Sequence, residues 1–164
     1  MKHYKAPWSP LLVVISSAAT ILCLGISLVI VIGTLHHGAL PCVALLPLAI
    51  VLGAALFTVR GYTIADGAVL VHRLFWATRL PLVGLQSARA EPNAMRQSLR
   101  TCGNGGLFSF SGSYWSKHLG AYRAYVTDRQ RTVVLRYADE TVVVSPASPE
   151  QFVRDLPLPV DGTR

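Results

Sequence analysis

A cluster of aromatic and basic side chains in the middle of the chain is the first candidate for binding chemistry. Its members are Tyr114, Trp115, Lys117, His118, Tyr122, Arg123 and Tyr125. Arginine and lysine bind anionic groups, and tyrosine and tryptophan rings suit a boundary between apolar and aqueous surroundings. The cluster is therefore either a surface for headgroups or peptides, or a set of core rings whose charged neighbours are solvated.

The basic residues are the better candidates for an interaction surface. Lys117 and Arg123 belong to the cluster, and Arg89, Arg96 and Arg100 precede it. The chain has 15 Lys and Arg against 8 Asp and Glu, which gives a net charge of +7. This balance suits anionic lipid or nucleic acid, and it is also common on the cytoplasmic faces of membrane proteins.

No pattern typical of a catalytic or metal centre occurs in the sequence. His72 and His118 are isolated, and there is no HExxH, nucleophile elbow or paired acidic motif. The three cysteines form no CxxC pair, which excludes the usual zinc and disulfide frameworks. The run Gly103–Gly106 lacks the Lys-Ser/Thr ending of a phosphate-binding loop and is better explained as a turn. We therefore predict a protein that is not an enzyme and binds no cofactor or metal.

Two long apolar runs must hold these residues in place. No Asp, Glu, Lys or Arg occurs from Ala6 to Val59. A membrane helix needs about 20 mainly apolar residues, and the runs at about 10–33 and 39–59 both have that length. We predict a transmembrane helical hairpin over residues 1–60. A cleavable signal peptide is the alternative for the first run, but its apolar core would span only about 7–15 residues.

Charges beside the runs predict the orientation of the hairpin. Lys2 and Lys5 precede the first run and Arg60 follows the second, whereas the loop from Thr34 to Leu40 has no Lys or Arg. The positive-inside rule then places both termini of this multi-pass protein in the cytoplasm. A metal or pH site at the loop pair His36–His37 would need further ligands.

Small residues predict how the two membrane helices pack. They recur along one face of each predicted helix: Ser16, Thr20, Cys23, Ser27, Ala49 and Gly53. Because small residues let helix backbones approach closely in lipid, we predict that these faces meet. Pro41 fits the first turn of the second helix, whereas Pro47 should kink it.

From Gly61 onward the pattern changes to short strands. Asp66-Gly67 lies between two alternating segments, 61–65 and 68–73, and is a strong hairpin signal. Further strands are predicted at about 75–80, 87–91, 107–114, 121–127, 132–137 and 141–145. The section 93–106 between them is glycine-rich and predicted to be irregular.

The last element is a short helix with clear boundaries. Ser148 suits the N-cap, Pro149 suits the first helical position, and Pro157 ends the helix. Two turns are not stable alone in water, so this helix must pack on the sheet. The pattern predicts a membrane hairpin followed by an α+β domain at 61–157. In that domain about seven antiparallel strands form a PH-like barrel capped by the helix, and a tail follows at 158–164.

Three segments resemble a family of bacterial PH-domain membrane proteins. They are GNGGLFSFSGSYWSKHLGAYRAYVTD at 103–128, YTIADGAVLVHRLFWATRLPL at 62–82, and VVVSPASPEQFVRDL at 142–156. The resemblance implies an antiparallel barrel closed by a C-terminal helix, with membrane helices before it. It implies no reaction and transfers no functional residue. Phosphoinositide-binding PH domains usually carry basic residues at the first hairpin turn, and the short acidic turn at Asp66 departs from that pattern.

Together with the resemblance, the sequence thus predicts a multi-pass protein of the bacterial inner membrane that presents a cytoplasmic PH-like domain to proteins or anionic lipids. Two alternatives are an accessory subunit of a membrane transport or envelope-stress assembly, and a nucleic-acid binder. The expected partners are membrane lipids and a protein that the sequence does not identify. No nucleic acid is expected under the first interpretation, and a homo-oligomer is compatible with it.

Overall fold

The computed structural model describes residues 1–36 and 41–157. The helices in this part are α1 (Pro10–His36), α2 (Leu45–Leu56), which follows a 3-10 turn (Pro41–Ala44), and α3 (Pro149–Arg154). The strands are β1 (Lys2–Lys5), β2 (Gly61–Ala65), β3 (Ala68–His72), β4 (Ala77–Pro81), β5 (Leu85–Ala90), β6 (Leu99–Gly105), β7 (Phe110–Ser116), β8 (Gly120–Val126), β9 (Val133–Tyr137) and β10 (Thr141–Val144). The predicted tail at 158–164 and His37 of the predicted loop pair lie outside the described residues.

The strands form two sheets. One has four strands in the order β1-β2-β3-β4, and the other has six in the order β5-β9-β10-β8-β7-β6. All pairs are antiparallel except β10 and β8, which run parallel. The prediction of antiparallel strands is therefore wrong at this pair. β9 follows β8 in sequence but does not pair with it, because β10 lies between them, antiparallel to β9 and parallel to β8.

The hairpin predicted at Asp66-Gly67 is confirmed. It joins β2 to β3, and both turn residues have positive φ, 49° at Asp66 and 66° at Gly67. This backbone twist matches the twist of the flanking strands, which is why Asp-Gly is favoured in two-residue turns. The hairpin aligns Tyr62 with Val71, and both side chains are fully buried.

Two strands were not predicted from the sequence. β1 precedes the apolar runs and pairs with β2, from Lys2 opposite Ile64 to Lys5 opposite Gly61. β6 lies in the section predicted to be irregular and pairs with β7, with a bulge between Arg100 and Cys102. The domain therefore begins with a strand that is separated from it in sequence by both apolar helices.

Both faces of the six-stranded sheet are covered. One face packs against the four-stranded sheet in a core that includes Tyr62, Val71, Leu135 and Phe152. Phe152 comes from α3, so the prediction that this helix packs on the sheet is confirmed. α3 begins at Pro149 as predicted, although the Ser148 hydroxyl makes no capping hydrogen bond.

The opposite face of the six-stranded sheet packs against residues outside the strands. Its core includes Met95, Phe110, Val126 and Val143, together with Leu12 from the first turn of α1. Leu12 is fully buried. The domain and the start of the first apolar helix therefore share one hydrophobic core.

One helix in the described residues is long and apolar enough to cross a membrane, over Pro10–Thr34. The second apolar helix, Cys42–Leu56, is shorter than the predicted run. The expected kink at Pro47 is wrong because α2 begins at Leu45. Pro47 therefore lies in the first turn, where the missing N–H has no intrahelical acceptor to lose. Pro41 begins the 3-10 turn instead of the helix.

Candidate functional site

The start of α1 is packed closely against the domain. The Ser16 hydroxyl accepts a hydrogen bond from the backbone N–H of Phe108 at 2.9 Å, and Ser16 is buried. The Thr127 hydroxyl donates to the Pro7 carbonyl at 2.8 Å. Trp8 lies beside Phe108, with ring centroids 6.1 Å apart. Hydrogen bonds and apolar contacts together fix this end of the helix on the domain.

β1 attaches the segment that precedes α1 to the four-stranded sheet. Lys2 forms an ion pair with Asp155 at 2.6 Å, and the Tyr4 hydroxyl donates to the same carboxylate. The Tyr4 ring meets Phe152 edge to face at 5.0 Å. The hydrogen bond from Lys2 and then that from Tyr4 lower the pKa of Asp155 below its ordinary value. The N-terminal segment is thereby tied to α3 as well as to β2.

In contrast to α1, α2 is separated from the domain by an open cleft of about 650 Å³. One wall is formed by α2 and the residue just beyond it, with Ile50, Gly53 and Phe57. The opposite wall is formed by β6, β7 and β8. A Cβ added at Gly53 would meet no atom within 4 Å, so this part of the cleft is empty space.

A glycine pair forms part of the sheet wall. Gly103 of β6 lies opposite Gly112 of β7, and both have positive φ, 106° and 136°. A Cβ at Gly112 would overlap the carbonyl of Cys102, and one at Gly103 would overlap that of Ser111. The strands approach closely only because both side chains are absent. Because neither glycine has a side chain, no side chain projects into the cleft from this part of the wall.

Arg73 lines the cleft beside Phe57, the residue that follows α2, and is surrounded by aromatic rings. Its guanidinium carbon is 5.4 Å from the centroid of Phe57, 5.8 Å from Trp76 and 5.3 Å from Tyr125. Nη1 donates to the Phe57 carbonyl at 3.0 Å. Burial lowers the pKa of Arg73, but an arginine stays protonated at physiological pH. Arg73 therefore places a partly desolvated positive charge at the end of α2.

Two of the five predicted interaction residues also line this cleft. They are Arg100 of β6 and Arg123 of β8. Arg100 forms no ion pair with a described residue, and Arg123 forms a long ion pair with Glu140, at 3.7 Å. The cleft is therefore lined by Arg73, Arg100 and Arg123, which come from three separate parts of the sequence. Arg100 lies on the edge strand opposite the buried Tyr114, so its side chain starts from the other face of the sheet.

The other three predicted interaction residues lie elsewhere. Arg96 is near the start of α1, in a depression that includes Leu11. Arg89 lines a separate depression with Arg136, and Lys117 is exposed in the turn between β7 and β8. The structure does not unite the five residues in one surface.

The aromatic cluster is divided between core and surface. The rings of Tyr114 and Tyr122 are buried and stacked, with centroids 5.8 Å apart, and Tyr125 is buried in the other core. Trp115 is exposed. The packing alternative therefore holds for these three tyrosines.

The small residues predicted to join the helices have different neighbours. Ser27 donates to the Ala44 carbonyl at 2.9 Å and so links α1 to the 3-10 turn. Ser16 contacts the domain, Thr20 donates to the Ser16 carbonyl at 2.7 Å, and Cys23 is half-buried. Ala49 is exposed, and Gly53 faces the cleft. The structure places Ala49 and Gly53 away from the face of α1 predicted to meet them.

The isolated histidines have ordinary polar partners. Nε2 of His72 lies 2.8 Å from the Thr63 hydroxyl, and His118 lies 2.9 Å from the Glu91 carboxylate. In the part of the chain that the structure describes, no group of three His, Cys, Asp or Glu side chains could hold a metal ion.

Arg73 is the site residue that sequence reasoning missed. It follows β3 directly, and the nearby Trp76 gives a weak local signal. Phe57 and Tyr125, its other aromatic contacts, lie 16 positions before it and 52 positions after it. Nothing in the local spacing connects these residues.

The comparisons with known proteins agree with the fold of the C-terminal part. A family model described as a bacterial PH domain matches residues 60–157. No curated protein and no solved structure matches the chain. The matched region contains β2 to β10 and α3, and it leaves β1, α1 and α2 outside. Since the match covers more than half of the sequence, the chain belongs to the bacterial PH domain family.

Proposed function

We propose that this is a multi-pass membrane protein of the bacterial inner membrane. Its PH domain is held at the cytoplasmic face, where it binds proteins or anionic lipids without catalysis. The observation that carries the proposal is the pairing of β1 with β2. β1 precedes the apolar helices and β2 follows them, yet the two strands are neighbours in one sheet.

This pairing constrains the path of the chain through a bilayer. Two paired strands lie on the same side of a membrane, so the segment between Lys5 and Gly61 must cross an even number of times. α1 has 27 residues and rises about 40 Å, enough to cross a hydrocarbon core of roughly 30 Å. If α1 crosses once, a second segment must cross back before the chain reaches Gly61.

The 3-10 turn and α2 are the segment available for the return. Their 4 and 12 residues rise about 26 Å together. A span slightly shorter than the bilayer core is accommodated by local thinning at modest cost. A hydrogen bond from the Ser27 hydroxyl of α1 to the Ala44 carbonyl joins α1 to the 3-10 turn. This contact supports a pair of adjacent membrane-spanning segments.

The outer surfaces of both helices have the chemistry of lipid-facing residues. Val29 on α1 is 70% exposed and Leu52 on α2 is 66% exposed. Apolar surface left in water costs about 25 cal/mol per Å², so a surface of this kind is stable only when it is covered. In a bilayer, lipid would cover this surface on both helices beyond their contacts with the domain.

Aromatic side chains lie where the helices meet the domain. Trp8 precedes α1, Phe57 follows α2, and Trp76 packs against Phe57 with centroids 5.4 Å apart. The neighbouring Phe75 is 77% exposed. Tryptophan and tyrosine are enriched at membrane interfaces, and exposed rings at this level support a domain seated on the bilayer.

Membrane retention and labelling test the proposal. The full-length protein, with Cys23, Cys42 and Cys102 replaced by serine, should stay in the membrane pellet after a carbonate wash. A cysteine at Lys117 should react with a membrane-impermeant maleimide only after the cells are broken. A cysteine at Gly38, in the predicted external loop, should react in intact cells. Release by carbonate, or labelling of the Lys117 position in intact cells, would contradict the proposal.

A further inference from the structure

The cleft beside α2 has two chemically different ends, which suit the two ends of one kind of molecule. We infer that it binds a single anionic phospholipid, with the phosphate held by Arg73 and Arg123 and an acyl chain lying along Ile50, Gly53 and Ala54. This inference rests on the proposed function, because it requires α2 to lie in a bilayer. It adds a site and a ligand class to that function.

The positive charge that lines the cleft is compensated only weakly by acidic residues. Three arginines line the cleft, and no Asp or Glu is among its lining residues. Among the described residues, Arg73 and Arg100 have no ion-pair partner, and Glu140 lies 3.7 Å from Arg123. Guanidinium groups bind phosphate through paired N–H donors, so an anion in the cleft would satisfy donors that the protein leaves open.

The strand register places Arg123 on the cleft side of the sheet. Arg123 on β8 lies opposite Ser113 on β7, and both residues line the cleft. Tyr125 is two positions further along β8 and is therefore on the same face as Arg123. The Arg73 guanidinium carbon lies 5.3 Å from the Tyr125 ring centroid, so Arg73 and Arg123 are both beside Tyr125. Arg100 on the edge strand β6 lies opposite Tyr114, which is buried on the other face, so Arg100 is not assigned to the phosphate.

The outer end of the cleft is apolar and continuous with the membrane surface of α2. Ile50, Gly53 and Ala54 line it, and Ile50 and Leu52 are exposed on the same helix. The volume of about 650 Å³ falls within the range of ligand sites, roughly 300–1,000 Å³. It accommodates a headgroup and the first part of a chain, and the remainder would lie along α2 in the bilayer.

Lipid fits this arrangement better than a soluble ligand does. The apolar wall is a membrane helix, and Phe57 and Trp76 stand at its end beside Arg73. A ligand that enters from the bilayer brings its own apolar tail to that wall and its anionic group to the arginines. A zwitterionic lipid brings a cation as well, which the arginines would repel.

Native mass spectrometry of the full-length protein in detergent, with equal amounts of phosphatidylglycerol and phosphatidylcholine, tests the site. We expect one phosphatidylglycerol per chain, preferred about tenfold or more over phosphatidylcholine. The variant Arg123→Gln should lose that preference by about tenfold or more, since hydrogen bonds to charged groups are strong. The matched control is Arg136→Gln, which removes the same charge from an exposed position outside the cleft.

A second pair of variants tests the apolar end without changing charge. Gly53→Leu fills open space in the cleft, whereas Gly25→Leu fills open space on α1 away from it. We expect Gly53→Leu to reduce phosphatidylglycerol retention about tenfold and Gly25→Leu to leave it unchanged. Both variants should show the circular dichroism of the parent protein.

Either of two results would overturn the inference. One is a parent protein that shows no preference for phosphatidylglycerol. The other is a pair of cleft variants that retain the lipid as well as their controls do. In both cases the labelling experiment still decides the membrane topology independently, so the lipid site can fail while the proposed function stands. A protein released by carbonate would instead remove both.

Discussion

α1 and α2 both contact the PH domain, but only α1 is packed into its core. At the α1 contact Leu12 is fully buried, and Ser16 accepts a backbone hydrogen bond from Phe108. At the α2 contact the corresponding space is a cleft, and Gly53 faces it with no neighbour. The α1 contact is filled by buried side chains, whereas the α2 contact is an open cleft lined by arginines.

The difference shows which contact maintains the structure and which is available for binding. A core residue is replaced only at the cost of its buried contacts, whereas a residue that faces an open cleft tolerates change. Substitutions in α1 near the domain should therefore reduce stability, and substitutions in the cleft should change binding instead. The following variants test this division.

Leu12→Ala should have the largest effect on stability. It removes a fully buried side chain from the core shared by α1 and the domain. Such truncations cost about 2–5 kcal/mol, because transfer free energy is lost and a cavity remains. Chemical unfolding of the protein in detergent, followed by tryptophan fluorescence, measures the change.

The control for this variant is Leu22→Ala, on the same helix. Leu22 is 63% exposed and makes no core contact with the domain. If the two variants lose the same stability, the packed contact at Leu12 does not exist as described.

Ser16→Ala should have the next largest effect. The Ser16 hydroxyl accepts the Phe108 N–H at 2.9 Å, and its loss leaves a partly buried donor without this acceptor. An unsatisfied buried donor costs about 1–3 kcal/mol. The same unfolding measurement applies, and Ser16→Cys or Ser16→Thr should restore part of the loss only if an acceptor atom reaches Phe108. No change in the Ala variant would show that water replaces the serine.

Low pH should loosen β1. The folded pKa of Asp155 lies below its ordinary value of 3.8, so its carboxylate contributes stability above pH 3.8 that is lost as pH falls through the lower folded pKa. We expect the amide signal of Tyr4 in an NMR titration to move toward its unfolded position in this acidic range. Asp155→Asn should abolish the pH dependence, and a titration that is the same in both proteins would contradict the role of the ion pair with Lys2.

Gly53→Leu should have the smallest effect on stability. The new side chain enters open space, so we expect a change in unfolding free energy of less than about 1 kcal/mol. A large loss would mean that α2 closes against the domain and that the cleft is absent. The stability of Gly25→Leu, measured in parallel, shows the effect of the same change on an open face of α1.

The elements that were predictable from the sequence depend on neighbouring residues. The turn at Asp66-Gly67 follows from two residues that adopt positive φ, and the start of α3 follows from Pro149 at the first helical position. The first apolar helix follows from length and composition alone. In each case the physical cause lies within a few residues of its effect.

The elements that were missed depend on residues that are distant in sequence. β1 is only 4 residues long, and its partner Gly61–Ala65 lies beyond both apolar helices. The glycines of β6 predict an irregular section. In the structure Gly103 is instead the residue that allows β7 to approach closely at Gly112. The cleft is lined by Arg73, which follows β3, and by Arg100 of β6 and Arg123 of β8, and no local pattern predicts that these residues share a cleft.

The pairing of β1 with β2 is the central claim, and disulfide crosslinking in native membranes tests it most directly. His3 lies opposite Thr63, with the imidazole Nδ1 3.0 Å from the hydroxyl, so cysteines at these positions should have the separation that a disulfide requires. In the background without native cysteines, His3→Cys with Thr63→Cys should crosslink on mild oxidation. The pair Thr63→Cys with Leu70→Cys, opposite each other on β2 and β3, is the positive control. If the control pair crosslinks and the His3–Thr63 pair does not, β1 is not a strand of this domain and the proposed path through the membrane is wrong.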